Sequence, residues 1–207
     1  MGLSTSTENL FIDGPAGKIE VLVEEPQGTD VIGWGVVLHP HPLMGGSMTH
    51  KVPYILSKAL LEMGYCSVRF NFRGVGKSHG TYSHGDGEID DAVSVIDWCK
   101  ERYYNLDSTA LFSFSFGSFV GSRVVNLYHF DRIVLLGLPP SRFDCFHVPE
   151  YSLVVHGELD EVVPLDSVYN WAEPQGIPVV VFPGASHFFD RKLIPLKEFI
   201  LLFYSSK

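Results

Sequence analysis

The chain is expected to take an α/β fold: a mostly parallel sheet of about eight strands, opened by an N-terminal hairpin and covered by helices on both faces. Three observations predict it. Short apolar runs alternate along the chain with segments whose apolar residues recur at helical spacing, which is the pattern of repeated strand–helix units. That alternation starts only after two strand-like runs joined by a Gly/Pro turn. The 207 residues also suffice for one core with both sheet faces covered.

Each element can be justified in order. Leu10 to Glu24, broken at Gly14-Pro15-Ala16-Gly17, reads as the hairpin. Gly35-Val36-Val37-Leu38 is a short buried strand. Val52, Ile55, Leu56, Ala59, Leu60 and Met63 then mark one face of a helix that Gly64 stops. Cys66 to Phe72 is the next strand, although Ser67, Arg69 and Asn71 alternate with Val68, Phe70 and Phe72 as in a half-exposed strand. A second helix runs from about Glu88 to Arg102, with Ile89, Ala92, Val93, Ile96 and Cys99 along one face. Strands follow at Ala110–Phe114, Ile133–Leu136, Leu153–Val155 and Val179–Phe182, with a helix-like run from Ser118 to Tyr128 after the first. Phe188 to Tyr204 reads as a closing helix that Pro195 should kink or delay. Without a repeat or composition shift, residues 1–207 read as one domain.

Bulk composition excludes several function classes. Hydrophobic content of 45% fits a folded globular chain. No apolar run approaches the ~18 residues needed to span a membrane, and Met1 to Leu10 lacks the basic start and apolar core of a secretory signal. A formal charge of −9 disfavours contact with phosphate backbones. The three cysteines, Cys66, Cys99 and Cys145, cannot all pair and have no C-x-x-C spacing. Free thiols in the cytoplasm are the simplest reading.

Ser113-Phe114-Ser115-Phe116-Gly117 sits between a strand-like and a helix-like run. It is nearly the G-x-S-x-G elbow, whose strand-to-helix turn lifts a serine hydroxyl above a sheet. Ser113 stands where that pattern has its first glycine. An acid after a later strand (Asp160) and a histidine after the next (His187) give the order Ser…Asp…His. A serine hydroxyl is a weak nucleophile without a base in reach. His187 would be that base, and Asp160 would hold its imidazole in the right tautomer. Phe116, the residue after the serine, would offer its backbone N–H to a developing oxyanion.

Further segments follow in order: His39-Pro40-His41-Pro42-Leu43-Met44-Gly45-Gly46, Arg69 to Ser78, His156 to Pro164, and Gly184-Ala185-Ser186-His187. With the elbow, they resemble the small, lid-less bacterial α/β-hydrolases, similar to the dienelactone-hydrolase-like serine esterases, from about Val31 to the C-terminus. The resemblance implies an α/β-hydrolase fold, Asp160 as the acid of a G-x-x-D-x-x-V-P pattern, and a structural Arg-Gly-x-Gly-x-Ser turn at Arg73 to Ser78. With His41-Pro42 in place of the family's His-Gly, it also implies Leu43 as the second oxyanion donor, or Met44 one residue on. Pro42 has no N–H. Where many members insert a helical lid after the sixth strand, Gly137 to Glu150 is short and holds three prolines, so no cap or lid is expected.

Rival readings carry less. His39-x-His41 lacks a third metal ligand at recognisable spacing. Gly76-Lys77-Ser78 ends like a phosphate-binding loop, but its first glycine would fall on Asn71. Glu158 and Glu161 are alternative acids, and Ser113 an alternative nucleophile. The expectation is a cofactor-free, metal-free cytoplasmic serine hydrolase of small soluble carboxylic esters, a monomer or homodimer without nucleic-acid or membrane partners. A peptidase or thioesterase on the same residues, and a non-catalytic binding protein, are the alternatives.

Overall fold

A computed structural model describes residues 4–205. Eight strands form one sheet: β1 (Thr5–Gly14), β2 (Gly17–Pro26), β3 (Gly33–Leu38), β4 (Tyr65–Phe70), β5 (Ser108–Phe114), β6 (Arg132–Leu136), β7 (Leu153–Gly157) and β8 (Val179–Phe182). Their spatial order is β1-β2-β4-β3-β5-β6-β7-β8. The hairpin strands pair antiparallel with each other and β2 pairs antiparallel with β4, while all remaining pairs are parallel.

Five helices cover the sheet: α1 (Lys51–Glu62), α2 (Asp86–Arg102), α3 (Phe116–Val124), α4 (Leu165–Ala172) and α5 (Leu193–Ser205). The two faces make two cores. Val52, Leu56, Ala59 and Leu60 of α1 join Leu196 and Ile200 of α5 against Phe112 and Phe114. Ala92, Val95 and Ile96 of α2, Val120 and Val124 of α3 and Val168 of α4 pack on Leu111, Val36 and Val154 from the other side. The fully buried parallel strands explain the apolar runs read from sequence.

Two expectations change. The closing helix begins at Leu193 rather than Phe188, and Pro195 is tolerated in its first turn, where an N–H has no helical partner anyway. β4 is an interior strand, and none of its residues is half-exposed. Its polar side chains enter a buried network instead. Arg69 pairs with Glu24 of β2 at 2.7 Å. Ser67 donates to Ser57 of α1, which donates to Glu24 at 2.9 Å, and Lys58 also reaches Glu24 at 3.0 Å. Burial raises the Glu24 carboxyl, but its bonds from Lys58, Arg69 and Ser57 outweigh that and hold it below its ordinary value.

The network reaches the loop between β3 and α1. Arg69 donates to the Met48 carbonyl at 2.8 Å, and the Asn71 side chain accepts from the Met48 N–H at 2.9 Å. One backbone unit of that loop is thus gripped from both sides by neighbours at the end of β4. His39 adds a second weld there. Its Nε2 accepts from the Phe72 N–H at 3.0 Å and its Nδ1 donates to the Pro40 carbonyl at 2.6 Å. Burial pushes this ring down to about 3, with His50 adding to the effect, so it is neutral.

Candidate active site

Ser115 occupies the turn between β5 and α3 with φ +56°, a backbone region costly for a residue other than glycine. The turn is held by the surrounding chain. The Ser115 N–H donates to the Leu136 carbonyl at 2.8 Å. A Cβ at Gly117 would meet the Leu38 and His39 carbonyl oxygens at 2.5 and 2.7 Å, so α3 can start this close to β3 only with glycine there. Ser113 lies beneath the turn and is wholly buried. Its hydroxyl is bonded to the Val134 carbonyl at 3.0 Å and to Ser118 at 3.1 Å. The position that usually holds glycine therefore takes a serine whose polar atom is satisfied.

His187 follows β8 and Asp160 follows β7. His187 Nε2 lies 3.0 Å from Ser115 Oγ, and its Nδ1 lies 2.7 Å from Asp160 Oδ2. The other Asp160 oxygen accepts from the Val162 and Val163 N–H groups at 2.9 and 2.7 Å. Burial raises the Asp160 carboxyl, yet the His187 bond and these two amides outweigh it and keep it below its ordinary value. A carboxylate next to Nδ1 fixes the tautomer that leaves Nε2 able to accept the serine proton. The alternative acids are occupied elsewhere: Glu161 accepts from the His187 N–H at 3.2 Å and Glu158 from the Gly184 N–H at 2.7 Å.

From sequence, His156 is read only as the start of the His156 to Pro164 segment, with no role of its own. It is fully buried, its Nε2 is 2.9 Å from the Val163 carbonyl and 3.4 Å from Asp160 Oδ2, and burial lowers its pKa. Its spacing of four residues before Asp160 was the available signal.

A cavity of ≈ 250 Å³ opens over Ser115 and His187. Pro40, His41, Met44, Gly46 and His50 line it from the β3–α1 loop and Phe116 from α3. Pro139, Arg142 and Phe143 come from the β6–β7 segment, and Val162, Val163 and Phe188 complete it. Phe143 is fixed by stacking on Phe119 at 4.7 Å. The segment between β6 and β7 contains turns and no helix. A larger cavity, ≈ 400 Å³, between Phe143 and Trp171 is lined by neither Ser115 nor His187.

Of the expected oxyanion donors, Phe116 borders the cavity at the start of α3. Leu43 does not border it. Its N–H donates to His41 Nδ1 at 3.2 Å, and the Met44 N–H donates to the His41 carbonyl at 3.0 Å. Both loop amides named from the sequence are thus consumed by the turn they form. The N–H groups of His41 and Phe116 have no acceptor among the described residues. Among those residues there is also no cluster of three or more His, Cys, Asp or Glu side chains able to hold a metal. None of their helices is long and apolar enough to cross a membrane.

Fold and site together define an α/β serine hydrolase. The crystal structure of an α/β serine hydrolase without a lid from Xanthomonas campestris aligns with a TM-score of 0.92 at 36% identity, covering 98% of this chain and 95% of that one. An α/β serine hydrolase homologue from Coxiella burnetii aligns with a TM-score of 0.86 at 38% identity, covering 97% and 98%. An uncharacterised protein of Rickettsia prowazekii is 32% identical over 203 residues, or 88% of this chain and 82% of that protein. The family model described as X-Pro dipeptidyl-peptidase (S15 family) matches residues 13–129, and the chain belongs to that family of hydrolases. The matched residues include Ser115 and stop before Asp160 and His187.

Proposed function

We propose that the protein hydrolyses small soluble carboxylic esters through an acyl-enzyme. The carrying observation is the continuous bonded row from Ser115 Oγ through His187 to Asp160, at the wall of a largely apolar cavity. Ser115 Oγ attacks the ester carbonyl while its proton passes to His187 Nε2. Asp160 stabilises the imidazolium that results. The oxyanion is held by the Phe116 N–H, at the positive end of α3. The second donor is the N–H of His41, a residue that lines the same cavity; that N–H has no acceptor among the described residues and takes the role first expected of Leu43. Collapse of the tetrahedral intermediate breaks the ester C–O bond, and His187 returns its proton to the leaving alcohol. Water then attacks the acyl group with His187 again as base, releasing the acid and restoring Ser115.

The family description favours a peptidase on the same residues. A dipeptidyl-peptidase must hold the free ammonium group of a peptide N-terminus, and burying that charge requires an acceptor partner. No carboxylate, carboxamide or tyrosine hydroxyl lines this cavity among the described residues, so the ester reading is preferred. The absence of a helix between β6 and β7 supports an open site without a cap, suited to short acyl groups. Three free cysteines, two of them buried, support a cytoplasmic setting.

The test is labelling with a fluorophosphonate, followed by kcat/KM on a panel of p-nitrophenyl esters and X-Pro-p-nitroanilides. Labelling that requires Ser115, with turnover of the esters, supports the proposal. Turnover of the anilides alone would replace it with the peptidase reading.

A further inference from the structure

The polar side chains around the cavity, apart from Ser115 and His187, are His41, His50 and Arg142. The two rings are held as donors by backbone amides, and a guanidinium can only donate. His50 precedes α1, and its Nδ1 accepts from the Val52 N–H at 3.3 Å, as an N-cap. A ring nitrogen that accepts from a backbone amide carries no proton, so the proton of the neutral ring lies on Nε2. That Nε2–H has no partner among the described residues. The ring is set against Phe114 and Phe188, with centroids at 6.0 and 5.5 Å. Burial is the larger effect in lowering its pKa; Lys51 and His187 add to it, and Asp190 opposes it. His41 repeats the arrangement: its Nδ1 accepts from the Leu43 N–H, leaving Nε2 as donor, and burial lowers its pKa too. The third, Arg142, forms no ion pair among the described residues, and its backbone N–H closes a turn onto the Pro139 carbonyl at 3.0 Å. Apart from Ser115 and His187, the polar side chains lining the cavity therefore offer N–H groups.

We propose that His50 is a specificity-determining residue whose Nε2–H selects esters carrying a second, uncharged acceptor oxygen in the acyl chain, such as an alkoxy or keto oxygen, over plain alkyl esters. The proposal rests on the esterase reading above. An alkyl chain would bury the His50 and His41 donors without a partner, whereas an ether or ketone oxygen satisfies one of them. Arg142 at the same cavity adds a further donor for such an oxygen.

The experiment compares p-nitrophenyl methoxyacetate with p-nitrophenyl butyrate, which match in chain length and differ by an oxygen in place of a methylene. Their intrinsic reactivities differ equally for every variant, so the readout is the change in their kcat/KM ratio. One neutral hydrogen bond corresponds to roughly a two- to tenfold effect. The ratio is expected to fall by that factor in His50→Phe. It should recover in His50→Asn, which keeps both a helix cap and an N–H donor. A ratio unchanged within about 1.5-fold in His50→Phe, at the hydrogen-bond magnitude just given, overturns the proposal. The tautomer is read independently on the unaltered protein by long-range ¹⁵N–¹H correlation. A proton on His50 Nδ1 rather than Nε2 overturns the proposal even where His50→Phe does not fold. Should neither ester be turned over, the esterase reading fails by itself. Methoxyacetamide and butyramide are then titrated onto Ser115→Ala, where tighter binding of the methoxy ligand supports the donor and equal binding overturns it.

Discussion

Arg69→Met is expected to destabilise the protein by about 3 kcal/mol, and the estimate follows from what the guanidinium touches. Arg69 is 4% exposed, bonded to Glu24 at 2.7 Å and to the Met48 carbonyl at 2.8 Å. Removing one partner of a buried ion pair costs roughly 3–5 kcal/mol. Lys58 and Ser57 still hold Glu24 in the variant, which moves the ion-pair share toward or below the lower end of that range. The Met48 carbonyl then lacks a donor, at roughly 1–3 kcal/mol unless water reaches it. Arg69→Met with Glu24→Leu removes the stranded charge as well, and should recover more than half of the loss, because apolar replacement of a whole buried pair is often neutral. Urea unfolding monitored by tryptophan fluorescence measures both variants. A loss below about 1 kcal/mol for the single variant, well under the range for a broken buried pair, would refute the reasoning. So would a double variant as unstable as the sum of its parts. A second readout separates positioning from stability: release of Met48 should lower kcat/KM for esters at temperatures where the variant is still folded, since that loop carries His41 and His50.

Ser115→Ala should lower ester hydrolysis by roughly 10⁴-fold or more with folding unchanged, while Ser113→Ala keeps most activity and loses about 1 kcal/mol of stability for its buried hydrogen bonds; the reverse pattern in a p-nitrophenyl ester assay would reassign the nucleophile. Asp160→Asn should cost about 10⁴-fold in kcat through the wrong His187 tautomer, and full activity would remove Asp160 from the mechanism. His39 titrates near 3 in the folded chain and near 6.5 unfolded, so between those values the unfolded state binds more protons. Stability contributed by His39 is thus complete above about pH 6.5 and declines below it, by up to about 1.4 kcal/mol per pH unit. Urea midpoints of His39→Phe should fall less steeply from pH 6.5 to 4 than those of the parent, and parallel slopes would count against the assignment. For acyl length, kcat/KM should rise by well under the ~0.8 kcal/mol per CH₂ of full burial and level off at short chains, given a ≈ 250 Å³ cavity; a continued steep rise toward long chains would contradict an uncapped site.

Much of the fold was legible because its signals are local. A strand buried on both faces must be apolar throughout, and a helix on a sheet must carry an apolar stripe, so β3, β5, β6 and α1 could be read from residue order alone. β4 could not. Its Ser67 and Arg69, with Asn71 just after it, look solvated because an alternating polar pattern usually means water on one face. What replaces water is a carboxylate from β2 and a hydroxyl from α1, far away in sequence, and no local pattern records their arrival.

The site divides along the same line. Ser115 could be found because the elbow constrains its immediate neighbours: Gly117 has carbonyl oxygens where a side chain would be, and Ser113 must be small. A donor for an oxyanion is a different kind of object. An N–H serves only if nothing else takes its hydrogen, so its availability depends on the hydrogen bonds of the whole loop. Leu43 and Met44 stand at the expected place and are spent on His41, whereas His41, whose side chain invited a metal reading, keeps its backbone N–H free among the described residues. The same bond that withdraws the Leu43 amide sets the His41 tautomer, and the Val52 amide does so for His50. Turn closure in the β3–α1 loop thus controls two properties of the cavity together: which backbone donor remains for the reacting carbonyl, and which ring atoms remain as donors for the rest of the substrate.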